Sequence, residues 1–118
     1  MPVNWIFRAA AILALLGVGL GAAGAHGMKP ALVAFGTTDL WATAVLYQLI
    51  HAVALLALAA ADRASRLLAG LWIAGLICFS GSLYALSLME AKAYLWPVTP
   101  LGGLLLMAGW ALLVVRGR

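Results

Sequence analysis

The sequence predicts an all-α integral membrane bundle of four transmembrane helices, with sequence neighbours antiparallel, forming a single domain over residues 1–118. Three observations predict it. Of the 118 residues, 67% are hydrophobic and only 8% charged, against about 45–50% and about 25% in soluble domains. The mean hydropathy is +1.14. Apolar runs with almost no charge recur four times, each near the roughly 20 residues that a helix needs to cross a hydrocarbon core about 30 Å thick. The same composition excludes a disordered chain, which needs low hydrophobicity, and a disulfide scaffold, which needs more than the single Cys78.

The first span covers about residues 5–25, and Ala9 to Ala25 carries no charge. Arg8, the apolar stretch and Ala23-Gly24-Ala25 have the look of a secretory signal with a small-residue cleavage site. However, Gly17, Gly21 and Gly24, with Ala10 and Ala14, recur at three- and four-residue spacing and form a packing face, so the segment is read as a retained helix. Gly17-x-x-x-Gly21 is a motif common to apolar helices and is assigned to packing within the chain. The connection from His26 to Asp39 contains Pro30-Ala31-Leu32-Val33-Ala34-Phe35, too apolar for a solvated loop, and is placed in the membrane interface. Asp39, beside Thr37 and Thr38, favours the positive end of the next helix.

The second span, about 40–61, has His51 as its one ionisable group. Asp62-Arg63-Ala64-Ser65-Arg66 is long enough only to turn the chain, which makes the second span and the third, about 66–89, an antiparallel hairpin. The fourth span, about 98–116, follows Pro97; Thr99 suits an N-cap and Pro100 the first helical position.

Seven Lys and Arg against three Asp and Glu give a net charge of +4. Because these basic residues flank apolar spans, lipid is the expected partner and nucleic acid is not. Arg8, Arg63, Arg66, Arg116 and Arg118 fall on one side of the predicted bundle, Lys29 and Lys92 on the other. Basic loops resist translocation, so both termini are expected in the cytoplasm. Trp5, Trp41, Tyr94 and Trp96 fall near span ends, as headgroup-level aromatic belts do, whereas Trp72 and Trp110 lie deeper and suit anchoring or packing.

Inside the spans, Thr43, Tyr47 and His51 recur at four-residue steps with Gln48 beside them, giving the second helix a polar stripe. His51 lies ten residues past Trp41, about 15 Å in and near the midplane. Intramembrane ionisable groups are costly and often functional. Two readings stay open for His51: an imidazole hydrogen-bonded to a neighbouring helix, or a proton, metal or ligand site. The third helix carries Cys78, Ser80, Ser82 and Tyr84 around Gly81 at similar depth, so the stripes are expected to meet in one polar core around Tyr47, His51, Ser80 and Ser82. Ser80 and Ser82 do not share a helix face, and a bend or unwinding at Gly81 would let both contribute.

A metal would draw on His26, His51 and Cys78, which lack the spacing of a zinc site, so neither metal nor cofactor is expected. No acidic residue lies inside a span to orient an imidazole, so an enzyme is not expected either. The same lack weakens a proton-coupled transporter, whose sites rest on membrane carboxylates.

Four blocks resemble a known family. They are Gly24-Ala25-His26-Gly27; Thr43-Ala44-Val45 with Tyr47-Gln48 and His51-Ala52; Phe79-Ser80-Gly81-Ser82-Leu83-Tyr84; and Thr99-Pro100-Leu101-Gly102-Gly103 with Gly109-Trp110. In this order and separation, covering nearly the whole chain, they resemble the bacterial membrane family called domain of unknown function 423, whose animal relatives include transmembrane protein 256. The resemblance implies a small four-helix inner-membrane protein with no established activity. It singles out His26, Gln48, His51, Ser80, Ser82, Tyr84 and Thr99, together with Pro100, Gly102 and Gly103 of the fourth block. One departure is Phe35-Gly36-Thr37-Thr38, which breaks a connection that is more polar and helical in the family.

The expected function is a non-catalytic accessory or interaction subunit of a larger membrane complex. One alternative is a small oligomeric transporter or channel with a polar path near His51 and Gln48. Another is a lipid-binding or lipid-acting interfacial protein with His26, Tyr84 and Thr99 near a headgroup.

Overall fold

The computed structural model describes residues 4–89 and 97–116. Five helices follow one another: α1 (Asn4–Ala25), α2 (Lys29–Phe35), α3 (Thr38–Ala60), α4 (Arg66–Ser87) and α5 (Val98–Arg116). All but α2 are long and apolar enough to cross a membrane. The expected spans match them to within two residues at each end. Lys92, Tyr94, Trp96 and Arg118 lie outside the described residues.

The connections show why the helices stop where they do. In the first, the chain is helical up to Phe35 and breaks at Gly36, which takes φ 66°. There the Gly36 and Thr37 amides cap the carbonyls of Val33 and Leu32, a left-handed turn that glycine makes without steric cost. The connection is therefore partly helical, over the seven residues of α2, with Leu32 buried and Val33 and Phe35 exposed. At the hairpin, Asp62 takes the left-handed position with φ 59°. The amides of Asp62 and Arg63 return to Ala59 and Leu58, closing α3. Ser65 then caps α4 by accepting from the Leu68 amide at 3.1 Å.

The spanning helices form a row, α1–α3–α4–α5, each antiparallel to the next, with α2 packed on α1 and α3 at one end. Reciprocal registers establish the directions. Leu13 meets Gln48 while Leu20 meets Trp41; Ala44 meets Ser80 while Thr37 meets Ser87; Leu106 meets Trp72 while Thr99 meets Ser82. One end of the bundle thus carries the start of α1, the end of α3, the start of α4 and the end of α5, and with them Arg8, Arg63, Arg66 and Arg116. Lys29 and Asp39 stand at the other end, Asp39 in the first turn of α3. At the arginine-bearing end, Ile6 and Ala10 of α1 join Leu55, Leu68, Trp72 and Leu106 in one continuous core.

Glycines set the helix spacing. A side chain at Gly17 would collide with Leu49, at Gly24 with the Trp41 indole, and at Gly109 with the Trp72 indole. At Gly102 it would meet the backbone of Phe79 and Cys78. The glycine face of α1 is therefore an internal seam against α3, as its spacing predicts.

Candidate functional site

Two tryptophans share one device. Trp41 rests on Gly24 of α1 and donates its indole N–H to the carbonyl of Leu20 at 2.8 Å. Trp72 rests on Gly109 of α5 and donates to the carbonyl of Leu106 at 3.1 Å. In both, a glycine one turn further along leaves the helix surface open, so the ring reaches a carbonyl already used within its helix. A buried indole needs such a partner. Trp41 was expected in a headgroup belt, but only 4% of it is exposed; the glycine seat draws it inside. Trp72 is fully buried packing, whereas Trp5 is exposed as a belt residue would be.

Around Trp41 lies the first polar group. Gln48, on α3 and buried, donates through Nε2 to the carbonyl of Leu13 at 2.8 Å. A carbonyl can only accept, so the amide nitrogen faces α1 and Oε1 faces α4, where it accepts from the Tyr84 hydroxyl at 2.7 Å. The Tyr84 ring in turn stands edge-on to Trp41, centroids 4.8 Å apart. Gln48 and Tyr84 thereby tie α1, α3 and α4 together.

The second group centres on His51, which is 4% exposed. Its Nδ1 lies 2.8 Å from the carbonyl of Tyr47 one turn earlier, and its Nε2 lies 2.9 Å from the indole nitrogen of Trp110 on α5. Since the carbonyl only accepts and the indole only donates, Nδ1 carries the proton and Nε2 accepts. Both nitrogens are engaged, one within α3 and one with α5. Trp72 and Trp110 flank the imidazole, with centroids 5.2 and 5.8 Å away.

The remaining polar residues divide between two seams. Ser80 faces α3 and donates to the carbonyl of Ala44 at 2.8 Å. Ser82 faces α5, donating to the Phe79 carbonyl at 2.9 Å and sharing a hydrogen bond with the Thr99 hydroxyl. α4 stays helical through Gly81, so no unwinding is needed: the two serines serve different neighbours. The expected single core around Tyr47, His51, Ser80 and Ser82 is thus replaced by separate pairs. Tyr47 is 38% exposed, stacks beside His51, packs tilted against Phe79, and takes part through its carbonyl. Thr99 was expected as an N-cap; α5 begins one residue earlier, at Val98, and the Thr99 hydroxyl turns to Ser82. Pro100 is exposed in the first turn of α5, Gly102 is buried against α4, and Gly103 lies in ordinary contact range of the Phe79 ring. His26 is exposed between α1 and α2, distant in sequence and in partners from the buried pairs.

Trp110 and Thr37 are site residues that sequence reasoning missed. Thr37 is buried and donates to the carbonyl of Ser87 at 2.7 Å. A signal for Trp110 existed: a deep indole requires an acceptor, and a midspan imidazole supplies one. Among the described residues, every buried side-chain nitrogen and oxygen has a partner.

The family described as "Protein of unknown function (DUF423)" matches residues 20–103, the stretch that contains Trp41, Gln48, His51, Ser80, Ser82 and Thr99. The chain belongs to this DUF423 family. Its similarity extends to curated relatives in both yeast and bacteria. A UPF0382 membrane protein of Schizosaccharomyces pombe is 36% identical, covering 93% of this chain and 98% of the relative. The Bacillus subtilis UPF0382 membrane protein YwdK is 42% identical over 89% of each chain. A Haemophilus influenzae UPF0382 membrane protein is 39% identical over 79% of this chain and 77% of its own. No solved structure matches the chain. The DUF423 protein described here is accordingly a small membrane protein, and its relatives carry the same description.

Proposed function

We propose that this DUF423 protein acts as a non-catalytic accessory subunit of a larger complex in the inner membrane, engaging its partner through the outward faces of its helices. One observation carries the reading: the buried polar side chains of the spans are all engaged within the fold, each bonded to another side chain or to a backbone carbonyl. Polar pairs of this kind fix helix positions in lipid, where hydrophobic attraction between helices is weak. What the molecule then offers to others is its outer surface. On α1 and α5 that surface is broad and apolar, with Leu15, Val18, Leu104 and Met107 well exposed.

The transporter alternative needs a polar path at His51, and the imidazole has both nitrogens occupied and is walled by two indoles. The lipid-acting alternative needs Tyr84 and Thr99 free near a headgroup, and their hydroxyls bond inward to Gln48 and Ser82. The test is quantitative membrane proteomics of a deletion strain. A specific membrane complex is expected to fall in abundance and to return when the chain is restored; unchanged membrane complexes would count against the accessory role.

A further inference from the structure

Between α1 and α3, with α2 at its outer end, lies an open groove of about 380 Å³, within the range of ligand sites. The glycine seam makes its floor: Gly21 and Gly24 bring the helices together there, and Val45, Leu46 and Leu49 form a wall while Leu32 of α2 closes the outer end. The lining carries no charge, and the one indole N–H in it is already given to Leu20. From Thr38 to Leu49 the groove follows twelve residues of α3, about 16 Å from the first to the last, half of a hydrocarbon core about 30 Å thick. Its length therefore matches one leaflet, and its exposed wall residues, Ala42 and Leu46, belong to a membrane-crossing helix, where acyl chains are the surrounding medium.

The outer end identifies the occupant further. Lys29 stands one turn before Leu32 on α2, is exposed, and is the cation at this end of the bundle among the described residues. Asp39, the carboxylate at the same end, sits in the first turn of α3, where the positive helix end offsets it, so an occupant that is apolar along one leaflet and anionic beside Lys29 matches both features. We propose that the groove holds one acyl chain of an anionic phospholipid, with its phosphate beside Lys29. The site goes beyond the accessory role and does not depend on it.

The test uses the full chain purified in mild detergent, delipidated and titrated with phosphatidylglycerol or phosphatidylcholine, with bound lipid counted by native mass spectrometry. Ala42 lines the groove yet is exposed, so Ala42→Phe fills the space without entering the core. The wild type is expected to retain one phosphatidylglycerol per chain and Ala42→Phe to lose it. Lys29→Gln is expected to weaken phosphatidylglycerol binding by about fivefold, the attraction of one surface lysine for an anionic headgroup, and to leave phosphatidylcholine unaffected. A second measurement on the wild type needs no variant: phosphatidylglycerol with a photoreactive acyl chain, in phosphatidylcholine vesicles, is expected to label Gly21 to Ala25 and Ala42 to Leu49 above the other lipid-facing segments. Equal lipid retention by Ala42→Phe, even labelling of all spans, or a wild-type dimer that Ala42→Phe dissociates would each overturn the proposal.

Discussion

Trp110 and His51 meet across 2.9 Å, indole N–H to imidazole Nε2, and so join two helices that are not neighbours in the row. The contact fixes more than distance. It orients the imidazole so that Nδ1 donates to Tyr47, and it places the Trp110 ring against Trp72, centroids 4.7 Å apart.

Trp110→Phe keeps most of the ring and removes the donor. It is expected to destabilise the protein by about 0.6 kcal/mol, the average for interhelical hydrogen bonds in membranes, and by no more than about 1.7 kcal/mol, their maximum. His51→Ala, which also leaves a cavity and strands the Trp110 N–H, is expected to cost more. Unfolding midpoints in mixed micelles, combined in a double-mutant cycle, check both; additivity of the two losses would show the bond to be energetically silent.

Gly102→Ala sets a methyl group against the backbone of Phe79 and Cys78, which cannot rotate away as a side chain would. A loss of about 1–3 kcal/mol or more is expected. Gly19→Ala and Gly70→Ala add a methyl in open space, so they are expected to be neutral or mildly stabilising, since alanine is the better helix former. The same unfolding assay separates the two classes.

Tyr84→Phe removes the donor to Gln48 Oε1 while the amide nitrogen stays on Leu13. A loss of about 0.6 kcal/mol is expected. Gln48→Leu removes both bonds and is expected to lose more and to loosen α1, seen as faster hydrogen exchange in that helix than in α5.

Arg8, Arg63, Arg66 and Arg116 share one end of the bundle. That end is expected to face the cytoplasm, because basic flanks are retained there. A reporter fused after Arg118 should be active when it requires the cytoplasm; activity only outside the cell would reverse the orientation.

The four spans were legible in the sequence, because span length follows directly from bilayer thickness. The glycine spacing of α1 likewise announced its seam. The polar site was legible as residues and not as partners. His51 and Gln48 lie on one stripe of α3, yet one reaches α5 and the other bridges α1 and α4. Which neighbour a side chain addresses depends on how the helices are arranged in the row, and a single-helix periodicity carries no such information. The burial of Trp41 was hidden for a related reason: its place near a span end fits a belt until Gly24, seventeen residues earlier, is known to lie opposite it. Thr37, one residue before α3, gave no periodic signal at all, and only the end of α4 beside it reveals its partner.

The accessory role is tested most directly by purifying the chain from its native membrane in mild detergent and determining the mass and identity of what co-migrates. A stoichiometric foreign membrane subunit, retained by Tyr84→Phe and lost when large polar residues replace Leu15 and Val18 or Leu104 and Met107 on the outer faces, is the expected result. A chain that migrates alone or only with copies of itself would contradict it.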